Sequence, residues 1–219
     1  MNTPTVTNPW CTVINMRTNI SMRVMTMGTG DKENAMALMD IIEHRHSIRS
    51  YQDKPVERDK IVKCLEAARL APSASNRQTA RFVVVDDPVM KKQLCDEAFS
   101  GVFSVMKFPS EAPVIVAAIG EPPGLAHRIG NIALRTNFGL IDMGIAVEHF
   151  VLQADELGLG TCWLGLFDEG KVKSILGIPR NKKVAALLTL GYFDGALALG
   201  EHNRKNLEDI SSFNGWKFA

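Results

Sequence analysis

The chain has no excess of either charge: 25 basic residues stand against 24 acidic ones, giving a formal charge of +1 over 219 residues. Nucleic acid and anionic membranes attract proteins through clustered positive charge, so this balance argues against both and for a small-molecule partner. Cysteine is scarce and dispersed. Cys11, Cys64, Cys95 and Cys162 form no C-x-x-C pair, which argues against a zinc ribbon or disulfide framework and fits a reducing, cytoplasmic compartment. No apolar run reaches the roughly 18 to 20 residues needed for a membrane-spanning helix. His44, His46, His127, His149 and His202 show no H-E-x-x-H or paired-ligand spacing, and no G-x-S-x-G elbow occurs. Neither a resident metal nor a serine nucleophile is therefore expected.

What is present is apolar and layered. Hydrophobic residues make up 46% of the chain, enough for one domain with a sizeable core. Residues 1–34 stand apart: no acidic residue precedes Asp31, and five of the ten methionines fall here. Three readings compete for this leader: a start codon assigned too far upstream, a functional arm, or an Arg-containing, acid-poor organelle presequence. The domain proper is placed at 35–219. Helical spacing begins at Ala35 and continues through Leu38, Ile41 and Ile42 to the polar "HRHS". Further helices are expected over about Glu57–Leu70, Val89–Phe99, Leu140–Leu157 and within "DEGKVKSILGI". Strands are expected at "RFVVV", "PVIVAAI", "TCWLG" and "KVAALLTLGYF". Helices alternating with strands, without an internal repeat, imply a layered helix-and-sheet domain. In the Leu140–Leu157 helix, Asp142, His149, Gln153 and Glu156 share one narrow sector at 100° per residue. This stripe is expected to line a solvent edge or to pair across a two-fold axis.

Three stretches have side chains suited to chemistry. In "HRHSIRSY", an extended run of period two puts Arg45, Ser47 and Arg49 on one side, two guanidinium forks and a hydroxyl. The C-terminal end of the preceding helix disfavours an anion there by ~0.3 to 1 kcal/mol, whereas each charge-assisted bond from Arg returns ~1.5 to 3 kcal/mol. An oxyanion clamp and a solvated Arg pair both remain open. "APSASNRQ" is a loop of small residues whose Asn76 and Gln78 amides can meet a flat heterocycle, or simply a helix-stop loop. "GLGTCWLG" lacks the third glycine of a dinucleotide fingerprint and runs helix to strand, the reverse of a Rossmann turn. Its Cys162 and Trp163 are read as core packing. An anion clamp and an amide-lined loop, without an acid, base or metal beside them, point to a cofactor as the carrier of the chemistry.

Taken together, "RHSIR", "APSASNRQ" and "GIAVEHFVLQADELGLGTCWLG" resemble the FMN-dependent nitroreductase family from about Met39 to the C-terminus. The resemblance implies an α+β layered fold, with a central, mostly antiparallel sheet flanked by helices, in an intertwined homodimer. It implies that Arg45, His46 and Ser47 bind the FMN phosphate end, that Arg49 reaches toward the ring, and that Arg204, or Lys205 in its place, joins them. Pro72, Ser73, Ala74, Asn76 and Gln78 would come from the partner subunit, and Leu164 and Gly165 would lie beside the reactive edge of the ring. NADH or NADPH would supply hydride for a nitroaromatic, quinone or similar acceptor. Other small-molecule chemistry, such as dehalogenation, flavin breakdown or dehydrogenation, and a non-catalytic flavin module are the alternatives. Thr79 and Ala80 replace the family's usual Pro-Trp pair after the loop.

Overall fold

The run Val114–Gly120 is apolar at nearly every position, and a strand buried on both faces requires a layer of helices on each side. In the computed structural model, which describes residues 37–121, 136–195 and 202–218, it forms the inner strand β2. The other strands are β1 (Ala80–Val85), β3 (Gly160–Leu164) and β4 (Lys183–Gly191). They make one antiparallel sheet in the order β1-β2-β4-β3, with a bulge between Ala118 and Ile119. Side chains alternate across it. Ile115, Ala117 and Ile119 pack with Leu94 and Ala98 of α3 (Pro88–Ala98) and Val172 of α5 (Glu169–Leu176). Val114, Val116 and Ala118 pack with Ile61 and Cys64 of α2 (Arg58–Arg69) and Val147 and Phe150 of α4 (Phe138–Glu156). The expected α+β layering is present: a sheet between two helical layers.

Local chemistry sets the element ends. Asp87 accepts from Met90 N ahead of Pro88 in the first turn of α3, and Asn137 and Asp168 cap α4 and α5 in the same way. Gly177, at φ 64°, closes α5 in the left-handed conformation. The short α1 (Leu38–His44) and α6 (Leu207–Ile210) are the remaining α-helices among the described residues. Residues 1–36, and with them the leader and the expected Ala35 helix start, lie outside the described residues. No helix among the described residues is long and apolar enough to cross a membrane. None of their His, Cys, Asp and Glu side chains form a group able to hold a metal ion.

The polar stripe of α4 is split between two surroundings. Asp142 is buried and accepts from Ala74 N at 2.9 Å, and His149 Nδ1 lies 3.3 Å from Ala67 O. Gln153 donates to exposed Glu156, and with His149 these two line the groove between α1, α2 and α4, so this end of the stripe keeps the expected solvent edge. Trp163 departs from the expected core packing: at 41% exposure it is not core, whereas its neighbour Cys162 is buried.

Candidate functional site

Strand β3 ends the sheet, so its outer edge needs a partner, and "RHSIR" supplies one. After α1 stops at His44, the chain turns extended at Arg45. Ser47 then bridges Thr161 in parallel, and Ile48 N donates to Thr161 O at 2.8 Å. Buried Ile48 is the inward anchor. It fits only because β3 starts with glycine: a Cβ on Gly160 would lie 2.6 Å from Ile48 Cγ1. Tyr51 holds the segment from beneath, its Oη donating to Ile48 O (2.7 Å) and lying 2.5 Å from Thr189 Oγ1. Burial pushes the Tyr51 phenol well above its ordinary value, so it stays protonated and able to donate.

With Ile48 inward, Ser47 and Arg49 are exposed, and Arg45 is half-buried with Nε 3.9 Å from Glu148. Arg49 donates to Ser47 O at 3.2 Å. Arg45, Ser47 and Arg49 all act on the buried thiol of Cys162. Burial pushes its thiol up, while Arg49, a hydrogen bond with Ser47, and Arg45 act in the opposite direction. Two residues further along β3 is buried Leu164, followed by exposed Gly165, around whose missing Cβ no atom lies within 4 Å. Another molecule can therefore approach this backbone closely.

Just before Arg45, His44 Nδ1 lies 2.9 Å from a carboxylate oxygen of buried Asp155. His46 Nδ1 donates to His44 O, and its ring stacks on His202. That stack, with the contact of His202 Nε2 to Glu43 O, ties His202 of the C-terminal segment to the end of α1; Arg204 and Lys205, two and three residues further on, are exposed.

The second half of the expected site is elsewhere. Pro72 is exposed and Ser73 half-buried; Ser73 Oγ accepts from Gln78 N at 2.9 Å, and Ala74 N is held by Asp142. Ser75, Asn76 and Gln78 all have positive φ, near 50°, a costly conformation that the Asp142 and Ser73 bonds help to hold. Gln78 Nε2 donates to Asn76 Oδ1 at 3.0 Å. Thr79 is buried, and Ala80 begins β1. Beside the loop is a cleft of about 140 Å³ lined by Pro72, Ser73, Gln78 and Asp142.

The two halves do not converge within one chain. β1 and β3 are opposite edges of the sheet. Asp142, which holds the loop, and Asp155, which holds His44, are both on α4 and separated by about 20 Å at a rise of 1.5 Å per residue. The anchoring roles of Asp142, Asp155 and Tyr51 were not read from the sequence. The available signal was two aspartates on a mostly apolar helix, each of which needs a partner if buried.

Comparison with known proteins places this geometry in context. The profile of the nitroreductase family matches residues 42–192. An Archaeoglobus fulgidus protein named as an NADH dehydrogenase/NAD(P)H nitroreductase is 35% identical over 158 residues, covering 70% of this chain and 84% of its own. A Thermus thermophilus protein named NADH dehydrogenase is 31% identical, covering 68% of this chain and 82% of its own. The solved structure of an FMN-dependent nitroreductase from Clostridium difficile superposes with a TM-score of 0.61 at 28% identity, covering 81% of this chain and 99% of that one.

Proposed function

The chain belongs to the nitroreductase family, and on that footing we propose that it is an FMN-dependent oxidoreductase. It uses NADH or NADPH to reduce a nitroaromatic, quinone or similar electrophile. The observation that carries this reading is the pairing of Ser47 with Thr161. It gathers two guanidinium groups, a hydroxyl and the open backbone at Gly165 along one sheet edge. This donor set fits FMN: Arg45, Ser47 and Arg204 would hold its one terminal phosphate, and Arg49, Leu164 and Gly165 would line its ring. His46 contributes by positioning, since its ring is turned to His44 and His202. When bound, FMN takes hydride from NAD(P)H and delivers reducing equivalents to the acceptor.

Pro72, Ser73, Ala74, Asn76 and Gln78 lie too far from this corner to reach the same ring in one chain. In the proposed enzyme they act on the flavin of a second copy, in a two-fold homodimer where each site draws on both subunits. Asn76 and Gln78 then offer amide donors and acceptors to the heterocycle. Donor and acceptor use one position in turn, so initial-rate plots should give the parallel lines of ping-pong kinetics.

The test is direct. Purified protein should be yellow and release FMN on denaturation, and it should oxidise NADH or NADPH steadily when a nitroaromatic or quinone is added. A colourless protein that FMN does not reconstitute overturns the reading. The proposed enzyme needs only residues 35–219, so a chain beginning at Ala35 should keep its flavin and melting temperature. Loss of either on truncation would make the leader an integral arm.

A further inference from the structure

A helix leaves its last carbonyls without intrahelical partners, and at α1 two of them are met by imidazoles. His46 Nδ1 lies 2.6 Å from His44 O, and His202 Nε2 lies 2.6 Å from Glu43 O. A carbonyl can only accept, so both nitrogens carry hydrogen and donate. The two rings also stack, with centroids 4.0 Å apart and planes 7° from parallel. His202 thus ties the C-terminal segment to the end of α1 by a ring face and a hydrogen bond. Beyond it, Leu207, Ile210, Phe213 and Trp216 are all exposed, so large apolar side chains contribute little to docking this segment within one chain. Arg204 and Lys205 follow at two and three residues, both exposed, with Arg204 donating only locally, to Asn203 O, among the contacts described.

We infer that His202 is a positioning residue: by stacking on His46 and capping Glu43 O, it holds Arg204 and Lys205 beside Arg45 and Ser47, where they meet the flavin phosphate. The inference rests on the FMN reading above, but the docking itself rests on the ring geometry alone. Arg204 and Lys205 are flexible cations whose ordering opposes binding. Fixing the backbone two residues upstream lowers that cost before the ligand arrives. His46, within the quoted "RHSIR", is then the platform for this contact.

Full-length protein stripped of flavin is titrated with FMN and with riboflavin, which lacks the phosphate, following flavin fluorescence. His202→Ala should weaken FMN about tenfold and leave riboflavin unchanged, with His202→Phe, which keeps the ring face, falling between. In an Arg204→Ala/Lys205→Ala background, His202→Ala should change FMN affinity by less than about twofold, because residues acting through one another are not additive. A full tenfold loss in that background, or equal losses for FMN and riboflavin, overturns the positioning role. Hydrogen exchange of the 203–206 amides in flavin-free protein should quicken in His202→Ala; unchanged exchange overturns the docking. Failure of the FMN reading looks different: wild type would then bind FMN and riboflavin alike, or neither.

Discussion

Ala74 N–H is satisfied by a carboxylate from another element, and a loop with three positive-φ residues is built next to that bond. Asp142 is 7% exposed, so its removal leaves the Ala74 donor without its partner and the carboxylate space empty. Asp142→Ala should destabilise the protein by about 1 to 3 kcal/mol and weaken flavin retention, read from the denaturant midpoint and the bound-flavin ratio. Asp142→Asn keeps an acceptor oxygen and should recover most of both. Equal behaviour of the two variants would mean that the bond to Ala74 does not shape the loop. From sequence, Asp142 was legible as polar on an apolar helix, but its partner is 68 positions away, and periodicity carries no information about such a contact. Arg45, Ser47 and Arg49 were legible because alternation in an extended segment is local.

At the level of elements, two joints fasten neighbouring segments to the sheet. The first is the pairing of the 47–48 segment with β3, which depends on Gly160. A methyl group there would meet Ile48 and Phe193 at 2.6 and 2.7 Å, so Gly160→Ala should push the Arg45–Arg49 segment off the edge. The cost should be about 1 to 3 kcal/mol, with a larger proportional loss of flavin than of stability. Retained flavin in a folded variant would show that the edge pairing is not what gathers the clamp. The second joint is Glu169 at the start of α5, which accepts from Lys173 and Val184 N and pairs with Lys183 of β4. Burial pushes its carboxyl up, but these partners outweigh it and hold the value down at about 2. Because the folded value is depressed, the stabilisation is present above the unfolded value near 4.5 and is lost as pH falls from there toward 2. Glu169→Gln should therefore lose roughly 1 kcal/mol near pH 7, solvent screening at this partly exposed position reducing the effect of the shift, and show a flatter acid-unfolding profile over that window. An unchanged profile by circular dichroism would remove Glu169 from this role. The elements themselves were largely legible: β2 declared burial on both faces, and α4 declared itself by length and apolarity. The order β1-β2-β4-β3 and the capture of "RHSIR" by β3 were not, because strand pairing is set by contacts between distant segments.

For the whole molecule, exposed apolar surface is what the proposed homodimer has to cover. Leu38, Val62, Leu70 and Leu152 help line a groove of about 820 Å³ between α1, α2 and α4, while Leu207, Ile210, Phe213 and Trp216 stand on the C-terminal segment. A two-fold homodimer that covers both would also carry each Ser73–Gln78 loop to the clamp of the other subunit. The sharing of the site between subunits was implied in the sequence by the family resemblance, and the separation of the half-sites along α4 is consistent with it. The decisive measurement is complementation. Arg49→Ala disables the clamp and Asn76→Ala disables the loop, so each homodimer should lack flavin-dependent NAD(P)H oxidation. Co-refolded in equal amounts, half the dimers are mixed, and each mixed dimer holds one intact site and one carrying both lesions. Activity should return to about one quarter of wild type, with flavin content rising in step. Confirmed mixed dimers with no recovery would place the entire flavin site within a single chain and contradict the shared-site architecture.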